Sequence, residues 1–185
     1  GMAEIIKHGL IKDIKYFNWL RENEELIHSF DIETLAQMIY QSCIIKKDVV
    51  ENDPKEQGER ALLNFGHTIG HAIEKGMDFQ LLHGECVAIG MVAASYISLR
   101  LNYLNQEEFN SIIEILRKFK LPVSLKGYKK TLSSKTILEV IEHDKKQESG
   151  KLKFILIKRI GQAFIETDLS KEEIKEAIDY ILDFE

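Results

Sequence analysis

Proline is almost missing from this 185-residue chain, with only Pro54 and Pro122 present. A sequence so poor in the residue that interrupts helices can sustain long helical runs. Cysteine is equally scarce. Cys43 and Cys86 are the whole complement, too few for a disulfide framework. Each sits in an apolar run, so buried free thiols in a reducing compartment are expected. Any basic excess is lacking too, since 25 Lys and Arg stand against 30 Asp and Glu for a net charge of −5. The signs are mixed along the chain, which argues against a nucleic-acid-binding face. A few local cations could still dominate one anion pocket. No stretch is long and apolar enough to span a bilayer, and Glu4 and Lys7 interrupt the first residues where a secretory signal would be apolar. A cytoplasmic protein without nucleic-acid or membrane partners is the expectation.

What is present is apolar periodicity, in a chain that is 44% apolar and therefore able to build a core. Asp31 is a good N-cap for a helix to about Asn52, with Leu35, Ile39, Ile45 and Val49 along it. Pro54 ends or bends that stretch. A second helix is predicted from about Glu59 to Lys75, closed by Gly76. A third starts near His83 and is apolar on several sides, which makes it central. Asn105 caps the next, ended by Leu121 and Pro122. Another runs from Ser133 or Ser134 to about Asp144. The period then changes, and 152–157 and 163–167 read as two short strands around Ile160 and Gly161. Ser170 with Glu173 forms a capping box for a last helix. The fold class is mainly α: one helical domain over 1–185, with a small β-hairpin near its C-terminus.

The chemistry concentrates between Lys46 and His83. His67 and His71 are four apart and share one face of a helix. Gly66 and Gly70 share another face, at a cost of about 1 kcal/mol each against alanine, so close backbone approach is expected there. His83 follows after a loop. Three imidazoles can bind a divalent metal such as zinc, and spacing alone groups His67, His71 and His83 as ligands. A histidine pair at this spacing also occurs on ordinary surfaces and in cores. It is no zincin motif, because no glutamate follows the first histidine. Glu56, Arg60 and Asn64, again four apart, are expected to continue one helical face towards the histidines. The bland reading of that face is a solvated one, with Glu56 and Arg60 as an ion pair.

These residues resemble the dehydroquinate synthase family. The resemblance rests on Gly1 to Lys7, on Lys46 with Val49 and Val50, and on Glu56 through Arg60 to the run Leu63 to Glu74. His83, Gly84 and Glu85, then Asp144, Lys145 and Lys146 followed by Gly150, complete it. It covers essentially the whole chain, and the long central block is its most specific part. It implies a metal, zinc or cobalt, held by Glu4, His67 and His83, with His71 beside the substrate. It implies Lys7, Lys46, Arg60 and Asn64 as substrate-binding groups, Glu56 as their orienting carboxylate, and one of Lys145 and Lys146 reaching the substrate. Catalytic roles fall to His71, Glu56, Asn64 and Lys46. The implied substrate is a phosphorylated sugar acid, 3-deoxy-D-arabino-heptulosonate 7-phosphate. The implied reaction belongs to the shikimate route to aromatic amino acids: transient oxidation by tightly bound NAD, loss of phosphate as in a lyase, and aldol closure. A homodimer is implied for the whole enzyme.

No glycine-rich phosphate loop and no alternating strand–helix pattern occurs in the chain. An N-terminal NAD-binding domain is therefore expected to be absent from it, so that the chain alone would be inactive. Glu4, near the first residue, is expected to fray and zinc binding to be weak. A helix through Ile5, Ile6, Leu10 and Ile11 docking on the core would reverse that. His71, Asn64 and Arg60 are expected to project towards one open concavity. Other sugar-phosphate cyclases, metal-dependent polyol dehydrogenases and a non-catalytic helical domain are the competing readings. Arg60 and the block from Asn64 to His71 weigh against the dehydrogenases.

Overall fold

The computed structural model describes residues 1–55, 58–78, 80–128, 132–147 and 152–184, without the side chains of 144–147. Helices α1 (Met2–Lys12), α2 (Ile14–Glu22), α3 (Glu24–His28) and α4 (Ile32–Asn52) come first. A 3-10 segment (Glu59–Asn64) leads into α5 (His67–Gly76) and α6 (His83–Arg100), followed by α7 (Gln106–Lys118) and α8 (Ser134–Gln147). The antiparallel strands β1 (Phe154–Arg159) and β2 (Gln162–Glu166) precede α9 (Lys171–Asp183). The expected mainly helical fold with a C-terminal hairpin is the one found. Among the described residues, no helix is long and apolar enough to cross a membrane.

Everything is arranged around α6. Its residues from Cys86 to Ser95, with Ile97 and Ser98, are buried, and α1, α5, α7, β1 and α9 all pack on it. A helix apolar on every side can only be stable in such a position. The caps that end the surrounding helices were readable locally. Asp31 accepts from Thr34 N–H at 2.9 Å, and Asn105 and Ser170 close capping boxes with Glu108 and Glu173.

The helix expected over 59–75 is two elements. The chain first winds as the 3-10 segment, then reverses at Gly66, whose φ of +78° favours glycine. Beyond it α5 lies so close to α6 that a Cβ on Gly90 would sit 1.9 Å from the Gly66 carbonyl oxygen. One on Gly70 would sit 3.0 Å from the Cys86 carbonyl oxygen. Close backbone approach was the right expectation for Gly66 and Gly70, but Gly66 is the turn before the helix and not part of its face.

One further expectation fails on α4. Its core-facing residues are Thr34, Met38, Ser42, Ile45 and Val49, and Ile39 lies on the opposite side, 54% exposed. Cys43, expected to be buried, shares that outer side and is exposed, whereas Cys86 is buried as expected. The hairpin acts as a clamp on α1: Gly161, at φ +88°, donates its N–H to the Leu10 carbonyl at 2.8 Å. With Ala3, Ile6, Leu10 and Ile11 buried, α1 is docked on the core along its length.

Candidate metal centre

The site gathers side chains from α1, α5 and α6. His67 opens α5 and His71 follows one turn later; His83 opens α6. The His67 and His83 rings lie 5.5 Å apart, as their placement across the loop 76–82 predicts. The His71 ring lies 5.3 Å from that of His67 and 5.7 Å from that of His83. One nitrogen from each of the three falls within 4.8 Å of the others, a spacing that a single divalent cation can span.

Glu4, on α1, adjoins the group at His67. Its Oε1 is 3.5 Å from His67 Nε2, and that oxygen is buried with no hydrogen-bond partner. Its Oε2 instead accepts from the Lys7 ammonium. Burial opposes ionisation of Glu4, yet the charge and hydrogen bond of Lys7, with His67 and His8 nearby, hold its pKa below the usual value. The expected fraying of Glu4 is contradicted. It stands in a helix whose Ala3 and Ile6 are buried, and a docked helix fixes its side chains.

His67 is in the state that metal ligation requires. Burial, then the positive charge of Lys7, drop its pKa to about 4, against the opposing pull of Phe65 and Glu4. The ring is therefore neutral near pH 7. Its Nδ1 lies 3.2 Å from the Phe65 carbonyl, which fixes the proton on Nδ1 and leaves the Nε2 lone pair facing Glu4. A neutral imidazole with a free nitrogen beside an orphaned carboxylate oxygen is the donor chemistry a zinc-like cation requires, so these residues fit such a group.

Lys7, which the resemblance makes a substrate-binding group, is 2% exposed. Besides Glu4 it donates to the Leu63 carbonyl, which ends the 3-10 segment close to α1. Burial lowers its pKa, Glu4 partly restores it, and Lys46 lowers it further. Lys46 is exposed on α4, one turn beyond Ser42, whose hydroxyl meets His8 Nδ1 at 2.8 Å. This His8–Ser42 pair was not anticipated. Histidine next to lysine carries no periodic signal for burial.

From Arg60 onward, the expected continuous face through Asn64 to His67 and His71 is not formed. Residues four apart do not align on a 3-10 segment, which turns every three residues, and Gly66 then redirects the chain. Asn64 and His71 are exposed and Arg60 is half-buried, so none is packed in a closed apolar core. Arg60 donates to the Pro54 carbonyl at 3.0 Å. Asn64 lines a small cleft with Thr68 and Phe154. Glu56 and Gly150, and the side chains of Lys145 and Lys146, lie outside the described residues.

Residues 1–147 match the family model described as 3-dehydroquinate synthase C-terminal. The chain belongs to that family. It is 46% identical over 178 residues to the 3-dehydroquinate synthase of Ruminiclostridium cellulolyticum, covering 96% of this chain and 48% of that protein. Against the 3-dehydroquinate synthase of Acinetobacter baumannii it is 42% identical over 179 residues, covering 96% and 49%. The chain thus spans about half the length of the curated relatives it matches. The fold is shared with 2-epi-5-epi-valiolone synthase from Streptomyces hygroscopicus subsp. jinggangensis, solved with NAD+ and Zn2+. The TM-score is 0.85 at 23% identity, over 97% of this chain and 49% of that one. It is shared likewise with a 2-deoxy-scyllo-inosose synthase solved with carbaglucose-6-phosphate, NAD+ and Co2+, with TM-score 0.77 and 24% identity, over 98% and 52%. The family is thus one whose named relatives are synthases, and its fold is shared with these two solved synthases.

Proposed function

We propose that this chain is the metal- and substrate-binding half of a cytoplasmic, homodimeric 3-dehydroquinate synthase. In that enzyme 3-deoxy-D-arabino-heptulosonate 7-phosphate loses phosphate and closes to 3-dehydroquinate. The observation that carries the reading is the orphaned Glu4 oxygen 3.5 Å from the neutral His67 ring, with His83 5.5 Å from that ring on the next helix. Glu4, His67 and His83 would hold the cation. When bound, it supplies concentrated positive charge that acidifies a substrate hydroxyl.

The remaining work belongs to the chain's own side chains. Lys7 holds Glu4 ionised and oriented, so the carboxylate meets the substrate side already charged. His71, one turn from His67 and exposed, offers a nitrogen that can accept or return a proton at the substrate. Lys46 contributes a point charge for an anionic substrate group. Arg60 and Asn64 supply planar and amide hydrogen bonds to carboxylate or phosphate and to hydroxyls. Glu56 orients these groups, and one of Lys145 and Lys146 joins them. NAD would be held by a nucleotide-binding half outside this chain, which spans about half the length of its curated relatives.

The test is a phosphate-release assay with the heptulosonate phosphate, NAD and zinc. It is run on the chain alone and on the chain joined to the nucleotide-binding half of a relative. Release only by the joined protein, lost in the His71→Ala variant, is expected. Release by the chain alone, or none by a folded joined protein, contradicts the reading. A second reading, another sugar-phosphate cyclase, is favoured by the shared fold. The 46% identity to a named 3-dehydroquinate synthase favours the first. A sugar phosphate without the carboxylate separates them, since the first reading requires it to be a poor substrate.

A further inference from the structure

Helix α5 carries three polar side chains on one stripe. His67, His71 and Glu74 follow at spacings of four and three residues, the geometry of a single helical face. The proposed function uses both histidines and leaves Glu74 without a task. Its location is unfavourable by itself, because a carboxylate in the last turn faces the negative end of its own helix dipole. Its side chain is nevertheless only 20% exposed. What compensates is His83, whose Nδ1 lies 3.3 Å from Glu74 Oε2.

That contact selects a tautomer. A carboxylate can only accept, so the His83 proton sits on Nδ1 and the Nε2 lone pair is left available. Phe65 makes the same selection for His67 through its carbonyl oxygen. The two rings are thus set alike by partners from different elements. His83 has the greater need of such a partner, since its side chain is 48% exposed, against 14% for His67, and packing alone does not fix its ring.

We propose that Glu74 is a positioning residue that holds the His83 imidazole in its Nδ1–H form, with Nε2 presented to the divalent cation. This rests on the metal-site reading above. A carboxylate behind a ligating imidazole fixes the ring and raises the basicity of its far nitrogen. An ordinary ion pair joining α5 to α6 would do neither, and would be worth little at this exposure.

Two measurements on the full chain test this. Long-range proton–nitrogen NMR correlations of the metal-free protein, at a pH where the rings are neutral, read the tautomer of His83. Wild type is expected to show Nδ1–H, and Glu74→Ala to move towards the Nε2–H form that free imidazole prefers. Titration with Co2+, followed by its visible absorption, reads affinity. Glu74→Ala is expected to weaken binding ~10–100-fold. Glu74→Gln keeps an acceptor, so it should fall between, while Glu176→Ala, which removes a carboxylate paired with Arg100, should match wild type. A His83 tautomer unchanged in Glu74→Ala overturns the inference. So does unchanged cobalt affinity in Glu74→Ala when His83→Ala abolishes binding, and the metal-site reading then still stands. Cobalt binding indifferent to both His67→Ala and His83→Ala removes that reading and this inference with it.

Discussion

The two ends of α6 are built on opposite principles. At its start, His83 meets Glu74, His67 and His71, and Glu4 and Lys7 lie behind them, paired by charge. At its far end, Tyr96 stacks on Tyr180 with ring centroids 4.2 Å apart, Tyr180 stacks on Phe184 at 4.8 Å, and Phe109 closes edge-on against both tyrosines. Aromatic packing of this kind adds stability beyond the area it buries. Desolvated charges at the other end cost stability unless paired. One helix therefore joins a scaffold end that holds the fold to a chemical end that draws on it.

The sharpest way to break this contrast is at the scaffold end. Phe109 is 2% exposed, and Phe109→Ala should cost about 3–5 kcal/mol in urea unfolding, with little effect on metal affinity. Next comes the crossing that brings the chemical end together. Gly90→Ala places a Cβ 1.9 Å from the Gly66 carbonyl oxygen. Neither backbone can yield without moving α5, so a loss of about 1–3 kcal/mol or more is expected, together with weakened metal binding as His67 shifts.

A third effect is a matter of pH. His8, buried behind Lys7, has its pKa lowered to about 4 by burial, then by the charge of Lys7. The unfolded chain takes up this proton near pH 6.5 and the folded chain only near 4. Stability is therefore fully present above pH 6.5 and is lost as pH falls towards 4. The loss is on the order of 3 kcal/mol. Denaturant midpoints across this range should show the slope, to which His67 adds through its own lowered pKa, and His8→Phe should roughly halve it. The smallest effect belongs to His71, which is exposed. His71→Ala should change stability by no more than about 0.5 kcal/mol, whatever it does to turnover.

The scaffold was more legible in the sequence than the site. Helix starts at Asp31, Asn105 and Ser170 were readable because a cap is a contact within four residues. The hairpin was readable because strand period and a turn glycine are also local. Gly66 was not: at its φ of +78° a Cβ would clash with Met91 and Val87 of α6, which only the folded packing brings there. A run from Glu59 to Lys75 with good helical period contains no sign of that. The site follows the same rule. His67 and His83 were recognisable by residue type and block, whereas the burial of Lys7 depends on the Leu63 carbonyl, 56 residues away. Glu74 carried a usable signal, seven residues from His67 and three from His71, which its place inside a helical block obscured.

The central proposal is that Glu4, His67 and His83 together hold a divalent metal. Calorimetric titration of the chain with Zn2+ tests it most directly. One zinc should bind per chain, with Glu4→Ala and His67→Ala each weakening binding at least about tenfold and Phe109→Leu leaving it unchanged. Zinc affinity that is the same in wild type, Glu4→Ala and His67→Ala would contradict the account.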